Sequence, residues 1–402
     1  MPAEAVQAMG LFARQIVAEL DAIKGQALYR QLRTIESAHG PRVDFNGRSM
    51  LMLASNNYLG LASHPALKRA AANATEQYGT GAAASRLIAG NLRVLSDLEA
   101  RLAQFKGVEA ALVFGSGYLA NIGTISAIAG REDVILSDEL NHASLIDGCR
   151  LARAQIMVYR HCDIDHLQAL LRQSRAARRR IIVTDSVFSM DGDLAPLVEI
   201  VELARRHNAA VMIDEAHAVG VLGHKGAGLA SALGLEREVD IQMGTLSKSL
   251  GSYGAYVAGS RALVDLLINR ARSFVFTTGL PPASAAAAIA AIDLIEAEPQ
   301  RIKILWDNAC YLRQELARAG FRLGASATPI LPVIVGDAQP ALDFAEGLLR
   351  RDVYVLAIRP PTVPLGTARL RVTATADHTR ADLDEALRAF IAAGREAGAI
   401  AK

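Results

Sequence analysis

A short apolar run, Ala209 to Ile213, is followed directly by Asp214, Glu215, Ala216 and His217 and then by a glycine-rich stretch. A run of this kind, closed by polar and glycine residues, is typical of a strand buried on both faces of a parallel sheet. Ligands of open α/β sheets bind outside the carboxyl ends of such strands. The pattern therefore predicts an α/β fold with Asp214 at a ligand-binding edge, although a helix cap or a turn would also account for an isolated aspartate.

The second informative feature is Lys248, which lies in the small-residue stretch Gly244 to Gly251, after the apolar run Val239 to Met243. Partial desolvation lowers the pKa of a lysine, and the free amine can then attack a carbonyl group. Most lysines are solvated surface charges, so Lys248 alone is weak evidence. Together with Asp214 and His217 it gains weight, because pyridoxal phosphate uses a lysine for its Schiff base and an aspartate at its ring nitrogen.

The segments VMIDEAHAVG and GTLSKSLG resemble the cofactor aspartate and lysine motifs of the α-oxoamine synthase family, and the resemblance runs from about Leu20 to the carboxyl terminus. It implies an α/β fold of type I, that of aspartate aminotransferase and other pyridoxal-phosphate-dependent (PLP-dependent) transferases. This fold has a large domain with a mostly parallel seven-stranded sheet plus a smaller C-terminal α/β domain. The expected division is an N-terminal helical arm with a short hairpin (1–55), a large PLP-binding domain (56–297) and a small domain (298–402).

The resemblance also assigns roles around pyridoxal 5′-phosphate. Lys248 would form the Schiff base, Asp214 would keep the ring nitrogen protonated, and His142 of the segment NHAS would stack on the ring. His217 would contact the phenolic oxygen, and these four are the expected catalytic residues. The other expected cofactor contacts are Ser189 at the phenolic oxygen, Ser116, Gly117 and Tyr118 at a strand-to-helix turn, Thr245 and Ser247 beside the lysine, and Thr277 and Thr278 reaching across from a neighbouring subunit.

One of these expectations has independent support. Small residues at a strand-to-helix turn, as in FGSGYLAN, expose amide groups at the positive end of the helix, where proteins hold phosphate. The contact by Thr277 and Thr278 across subunits implies a homodimer with shared active sites.

Substrate contacts are also implied. Arg371 matches the arginine that binds the carboxylate of the amino-acid substrate, and the planar fork of a guanidinium suits that group. Arg369 is expected to be a surface residue on the opposite face of the strand. Asn56 and Ser85 match positions that touch the acyl substrate; the stretch around Ser85 could equally be a glycine-rich surface loop. Arg30, on a predicted N-terminal helix, either pairs with a distal carboxylate of the acyl chain or is a solvated helix residue.

The activity that the resemblance implies is the decarboxylative condensation of an amino acid with an acyl thioester. The segments FTTGLPPA and PTVPLGTARLRVTATADHT favour L-alanine and a pimeloyl thioester, on CoA or on a carrier protein, as in biotin biosynthesis. The segment SDELNHASLIDGCRLARA is equally similar to enzymes that join glycine and acetyl-CoA. Long-chain acyl transfer to serine, transamination on the same fold and a catalytically silent subunit are the alternatives. The chain retains Lys248 and Asp214, which argues against a silent subunit.

Composition excludes several other classes. A net charge of +2 gives no electrostatic reason to expect nucleic acid or an anionic membrane as a partner. Asp191, Gly192 and Asp193 could begin a calcium loop, but the later ligands of such a loop are missing, so no metal is expected. The alanine-rich run Ala283 to Ile292 is too short to span a membrane and predicts a buried helix.

Cysteine usage and the N-terminus predict the compartment. The three cysteines lie far apart in the sequence and form no CxxC pair, so neither a disulfide framework nor a zinc site is indicated. The first 15 residues lack a basic segment followed by an apolar core and a cleavage site. A cytoplasmic enzyme is therefore expected.

Overall fold

Within the part of the chain that the structure describes, the strands form three sheets. The structure, a computed structural model, describes residues 10–26 and 28–401. In chain order, the strands are β1 (Arg42–Phe45), β2 (Arg48–Met52), β3 (Ala110–Phe114), β4 (Val134–Asp138), β5 (Gln155–Tyr159), β6 (Arg180–Asp185), β7 (Ala210–Asp214), β8 (Ile241–Thr245), β9 (Ala255–Gly259), β10 (Ile330–Gly336), β11 (Val353–Tyr354), β12 (Leu356–Ile358) and β13 (Ala368–Thr373).

Helices separate most of these strands. They are α1 (Leu11–Gly25), α2 (Pro65–Tyr78), α3 (Arg93–Lys106), α4 (Gly117–Ile128), α5 (Ala143–Ala152), α6 (Ile164–Gln173), α7 (Leu197–His207), α8 (Leu229–Ala232), α9 (Arg261–Arg270), α10 (Arg272–Val275), α11 (Pro282–Ala297), α12 (Gln300–Arg318), α13 (Ala338–Leu349) and α14 (Arg380–Glu396). Two short 3-10 helices lie at Leu61–Ser63 and His224–Gly226.

The central sheet has seven strands in the order β3-β9-β8-β7-β6-β4-β5. The five strands from β8 to β5 are parallel, whereas β9 runs antiparallel to both β8 and β3. Every residue of β3, β4, β8 and β9 is buried, as expected of strands covered on both faces. Large hydrophobic clusters lie on the two faces. The predicted α/β fold with a mostly parallel seven-stranded sheet is confirmed.

Two smaller sheets involve the C-terminal part of the chain. Strands β10, β13 and β12 form an antiparallel sheet, called here the C-terminal sheet, and β2 lies between β1 and β11. Asn46 and Gly47 connect β1 and β2 with φ angles of 50° and 68°, as a two-residue hairpin turn requires. Because α11 ends at Ala297 and α12 begins at Gln300, the expected boundary at 297/298 falls between two helices. The three-part domain division stays a prediction.

The N-terminal helix is shorter than predicted. Helical periodicity from Ala5 to Ile35 predicts one long helix, but α1 covers Leu11–Gly25 and residues 28–36 have no regular secondary structure. Gly25 has a low helix propensity, and α1 buries none of its residues, so neither propensity nor packing continues the helix. Residues 5–9 of the predicted helix lie outside the described residues. Arg30 is consequently not helical.

The alanine-rich run forms a buried helix, as predicted. It lies in α11, whose small side chains pack closely against α2 and α3 and are largely buried. Among the described residues, no helix combines the length and the apolar character needed to cross a bilayer.

Candidate active site

The carboxyl edge of the central sheet brings several predicted residues together. Asp214 is the last residue of β7, and Lys248 follows the neighbouring strand β8. Asp185, the last residue of β6, is in register with Asp214. Burial and the charge of Asp214 raise the pKa of Asp185 well above its ordinary value. Asp185 therefore holds its proton to a higher pH than an exposed aspartate does.

Lys248 is one end of a chain of polar contacts that reaches Arg371. Its Nζ lies 2.9 Å from Nε2 of His217, and Nδ1 of His217 lies 2.7 Å from the hydroxyl oxygen of Tyr58. That oxygen accepts a hydrogen bond from Nη2 of Arg371 at 3.3 Å. Burial lowers the pKa of Lys248 to about 8, although the carboxylate of Asp214 opposes the shift. A fraction of the amine is therefore unprotonated near neutral pH, as attack on a carbonyl requires.

His217 is a neutral imidazole. Burial and the charge of Lys248 lower its pKa well below the ordinary value. Because the Tyr58 oxygen already accepts a hydrogen bond from Arg371, its hydroxyl proton is free to go to Nδ1 of His217. We therefore assign the ring proton to Nε2, which faces the amine of Lys248. A neutral imidazole orients this amine without adding a competing charge.

Asn121, on α4, connects Asp214 to His142. Its Nδ2 donates hydrogen bonds to Oδ2 of Asp214 and to Oγ of Ser144, both at 2.8 Å. Oγ of Ser144 lies 2.7 Å from Nδ1 of His142, which also accepts the backbone N–H of Ser144 at 3.2 Å. Nδ1 is thus an acceptor, so a neutral His142 ring carries its proton on Nε2. Oδ1 of Asp214 accepts the backbone N–H of Ala216 at 2.8 Å.

The N-terminus of α4 carries the turn that is predicted to hold phosphate. Ser116 is the N-cap, and its Oγ accepts the N–H of Leu119 at 3.2 Å. Gly117 is the first helical residue, and the exposed Tyr118 donates its hydroxyl proton to Asp147 at 2.8 Å. The first amides of a helix have no partner within the helix and lie at its positive end. They are donors that a phosphate can use.

Three further predicted cofactor contacts lie at the same edge, at the end of β8 or in the loops that follow β6 and β8. Thr245 closes β8; its Oγ1 lies 2.7 Å from Oγ of Ser247 and donates to the carbonyl of Gly254 at 3.1 Å. Ser189 lies in a turn that follows β6, and its backbone carbonyl accepts a hydrogen bond from Nε of Arg371 at 2.6 Å. The predicted phenolic-oxygen contact and the predicted carboxylate-binding arginine are therefore in direct contact.

The residues predicted for the acyl chain and the neighbouring subunit lie in two places. Ser85 and Thr278 form an isolated antiparallel bridge, Thr278 being exposed and the adjacent Thr277 partly buried. Asn56 is partly buried, and its Oδ1 is fully buried without a hydrogen-bond partner among the described residues. A buried acceptor of this kind is suited to a ligand donor. The roles of these four residues stay predictions.

The structure contradicts the predicted surface position of Arg369. Residues two apart in a strand share a face, so Arg369 lies on the same face of β13 as Arg371 and not on the opposite one. It is only 4% exposed and forms an ion pair with Asp191. The expectation of a surface residue was wrong because the carboxylate of Asp191, on the turn after β6, provides a partner for the buried guanidinium.

Arg30 lies in the irregular segment after α1 and is exposed. Nη2 of Arg359 donates to the carbonyl of the adjacent Tyr29 at 2.9 Å. Burial, together with the positive charge of Arg30, lowers the pKa of Arg359. Two guanidinium groups are therefore close enough to repel each other, and an anion between them would relieve that repulsion.

Comparison with known proteins places this site in a family. A family model described as aminotransferase class I and II matches residues 48–390, which is most of the chain. The chain belongs to that family. The matched region includes the ends of β7 and β8, where Asp214 and Lys248 lie.

Proteins similar in sequence assign the chain to a subgroup of this family. An 8-amino-7-oxononanoate synthase of Geobacter sulfurreducens is 52% identical over 389 residues, which are 96% of this chain and 100% of the relative. A second one, from Symbiobacterium thermophilum, is 50% identical over 96% of this chain and 98% of its own. The chain is therefore an α-oxoamine synthase, and the predicted family is confirmed.

Solved structures of related enzymes support the predicted fold. A serine palmitoyltransferase from S. paucimobilis, solved with bound PLP and myriocin, has a TM-score of 0.92 at 33% identity, covering 98% of this chain and 100% of that one. An 8-amino-7-oxononanoate synthase from Francisella tularensis has a TM-score of 0.74 at 26% identity, covering 85% and 97%. The predicted fold of type I, PLP-dependent transferases is confirmed.

The residues at this edge fit pyridoxal 5′-phosphate, the cofactor of the family. Asp214 is a buried carboxylate suited to a protonated ring nitrogen, and Lys248 has the lowered pKa that imine chemistry needs. The N-terminus of α4 offers amides to a phosphate. Chemically, the donor set matches all three parts of the cofactor, and the predicted cofactor is confirmed at the level of the family.

Sequence reasoning missed three residues of the site. Tyr58 lies in the segment ASNNYLGLASHP with Asn56, and Asn121 ends the segment FGSGYLAN, but no pattern in the sequence indicates their partners. Asp185 closes the strand IIVTD as Asp214 closes AAVMID. That repetition, an aspartate at the end of each of two apolar runs, was the signal that could have identified Asp185.

Asn121→Ala should weaken the binding of pyridoxal phosphate by about 10- to 100-fold, because a hydrogen bond to a charged group contributes about 1.5–3 kcal/mol. Titration of the cofactor-free protein, followed by absorbance, measures the dissociation constant. Thr124→Val on the same helix is the matched control, since the buried Thr124 hydroxyl has no partner within residues 10–26 and 28–401. Equal affinity of the Asn121 variant and the wild type would contradict a role in holding Asp214.

Proposed function

We propose that this enzyme condenses L-alanine with a pimeloyl thioester, releasing carbon dioxide and the free thiol, as an 8-amino-7-oxononanoate synthase of the cytoplasm. The observation that carries the proposal is the identity of about half of all residues to relatives of that name over nearly the full length of both chains. Serine palmitoyltransferases share the fold at only about one third identity, so the fold does not select the acyl group.

In this proposal, Lys248, Asp214 and Arg371 act in the binding and deprotonation of the amino acid. Bound pyridoxal phosphate supplies an electron sink for the negative charge that develops at the α-carbon of the amino acid. Lys248, with its pKa lowered to about 8, is the base that takes the α-proton. Asn121 and the N–H of Ala216 hold the carboxylate of Asp214, which would keep the ring nitrogen of the cofactor protonated. Arg371 binds the carboxylate of the amino acid as a planar fork.

The acyl chain needs its own recognition. A pimeloyl group ends in a carboxylate, whereas an acetyl or palmitoyl group does not. Arg30 and Arg359 supply two adjacent positive groups for that carboxylate, with Arg359 fixed by its hydrogen bond to the Tyr29 carbonyl. Asn56 and Ser85 lie along the acyl path in this proposal.

The proposal includes a homodimer. Thr277 and Thr278 would donate to the phosphate bound by the partner subunit, and the bridge between Thr278 and Ser85 would bring an acyl-chain contact to the same shared site. Along α1, large apolar side chains are exposed, namely Leu11, Phe12, Ile16, Leu20 and Ile23. In the proposed homodimer, a second copy of the chain would cover these side chains.

Release of free thiol tests the activity. We expect thiol release with L-alanine and pimeloyl-CoA to exceed that with glycine and acetyl-CoA, or with serine and palmitoyl-CoA, by at least about tenfold in kcat/KM. A thiol-reactive dye follows the reaction, and a pimeloyl-carrier protein is assayed in parallel. A higher rate with either competing pair would reassign the substrate, and no thiol from any pair would favour transamination.

Arg30→Ala should raise KM for pimeloyl-CoA by about 10- to 100-fold and leave KM for acetyl-CoA unchanged, because only the pimeloyl chain carries the distal charge. Steady-state kinetics with both thioesters make the comparison. Arg14→Ala, an exposed arginine on α1, is the control and should affect neither. Equal changes for the two thioesters would remove Arg30 from the acyl site.

A further inference from the structure

The turn formed by residues 187–194 lies between the central sheet and the C-terminal sheet. Val187 and Leu194 form the isolated bridge that closes it, and Gly192 at its tip has a φ of 72°. A Cβ on Gly192 would lie 2.4 Å from Oγ of Ser326 and 2.9 Å from Oγ1 of Thr328. Only glycine permits this approach, and its carbonyl accepts a hydrogen bond from Oγ1 of Thr328 at 2.9 Å.

The same turn holds the two arginines of β13. The carbonyl of Ser189 accepts Nε of Arg371 at 2.6 Å, and Asp191 forms an ion pair with Arg369. The hydrogen bond to Ser189 engages Nε, and Nη2 lies 3.3 Å from the Tyr58 hydroxyl. The orientation of the Arg371 guanidinium therefore depends on where the turn is placed.

His161 fixes the turn from the other side. Its Nδ1 lies 3.0 Å from Oδ1 of Asp138, at the end of β4, and its Nε2 lies 2.7 Å from Oδ2 of Asp193 in the turn. The ring also meets Phe188 edge-on, with 4.4 Å between centroids. Burial alone would lower the pKa of His161, but hydrogen bonds to Asp138 and Asp193 outweigh it and raise the pKa to about 12.

This arrangement is not a metal site. Potential ligand atoms of Asp138, His161 and Cys162 lie within 4.8 Å of one another. Both nitrogens of His161, however, face carboxylate oxygens at hydrogen-bond distance, so both carry protons and neither has a lone pair for a metal. The group is a charged imidazolium held between two aspartates.

We propose that His161 is a positioning residue for the amino-acid substrate: by tying Asp193 to Asp138, it places the 187–194 turn so that the Ser189 carbonyl orients Arg371 to receive the substrate carboxylate. The proposal rests on the proposed function only through the assignment of Arg371. It does not depend on which acyl thioester reacts.

His161→Gln tests the proposal, because glutamine cannot donate to both carboxylates in this geometry. We expect the dissociation constant of the amino acid, measured from the spectral change of the holoenzyme without thioester, to rise roughly tenfold. KM for the thioester should stay unchanged. Asp193→Asn, which keeps the shape and removes the charge, should shift amino-acid binding in the same direction. His207→Gln, in the last turn of α7, is the matched control and should alter neither constant.

A double-mutant cycle separates positioning from general loss of structure. If His161 acts through Arg371, then His161→Gln adds no further loss of amino-acid binding in an Arg371→Ala background. Additive losses, or unchanged binding in both His161→Gln and Asp193→Asn, would overturn the proposal. If amino-acid binding were unchanged in Arg371→Ala alone, the role of Arg371 in the proposed function would be wrong. That outcome differs from the outcomes that would overturn the role of His161.

Discussion

Lys248→Ala should lower kcat by at least about 10⁴-fold, because one side chain supplies both the imine-forming amine and the base for the α-proton. The visible absorption that the wild-type protein shows with pyridoxal phosphate should be lost as well. Thiol release under saturating substrates and an absorption spectrum of the purified protein measure the two effects. The lowered pKa of Lys248 and its 2.9 Å contact with His217 are the structural basis of this expectation.

Lys68→Ala provides the matched control for this change. Lys68 is exposed on α2, and its removal should leave both the spectrum and kcat unchanged. An alanine variant at position 248 that turned over at the wild-type rate would refute the assignment of the catalytic amine, whatever the acyl substrate proves to be.

Asp214→Asn should lower kcat by roughly 10²–10³-fold or more even when pyridoxal phosphate is saturating. Asparagine has nearly the shape of aspartate and can still accept the N–H of Ala216, but it has no charge to keep the ring nitrogen of the cofactor protonated. Rates at several cofactor concentrations separate the loss of turnover from weaker cofactor binding.

The control for this variant is Asp240, which precedes β8 and contacts the end of β7 opposite to Asp214. Oδ2 of Asp240 accepts the N–H of Val211, next to the first residue of β7, far along the strand from Asp214. Asp240→Asn removes a charge of the same kind and should leave kcat within about twofold, since surface-type substitutions away from the site change little. Full turnover by Asp214→Asn at saturating cofactor would contradict the role of its charge.

Local patterns in the sequence were sufficient to predict the central sheet and the polar residues that meet at its edge. The run AAVMI predicts a strand because burial on both faces demands apolar residues. The polar residues that follow neighbouring parallel strands must then share an edge. Asn46 and Gly47 likewise predict their own turn from backbone preference alone.

Contacts between distant segments were not predictable in this way. The burial of Arg369 depends on Asp191, which precedes it by 178 residues, and periodicity within one strand carries no information about that partner. The link from Asn121 to Asp214 spans 93 residues for the same reason. Arg30 was placed on a helix because its neighbours are good helix formers, but no packing surface extends α1 beyond Gly25.

The antiparallel direction of β9 has a consequence for how the chain assembles. Parallel neighbours in the central sheet require a crossover, whereas β8 and β9 pair through the loop of residues 246–254 that contains Lys248. Within this loop, Leu246 donates to the Gly254 carbonyl and Ser252 donates to the Leu246 carbonyl, both at 2.9 Å. The strand pairing that positions the reactive amine is thus the shortest-range pairing in its sheet, and closing its loop costs little entropy. The groups around the amine come from distant parts of the sequence.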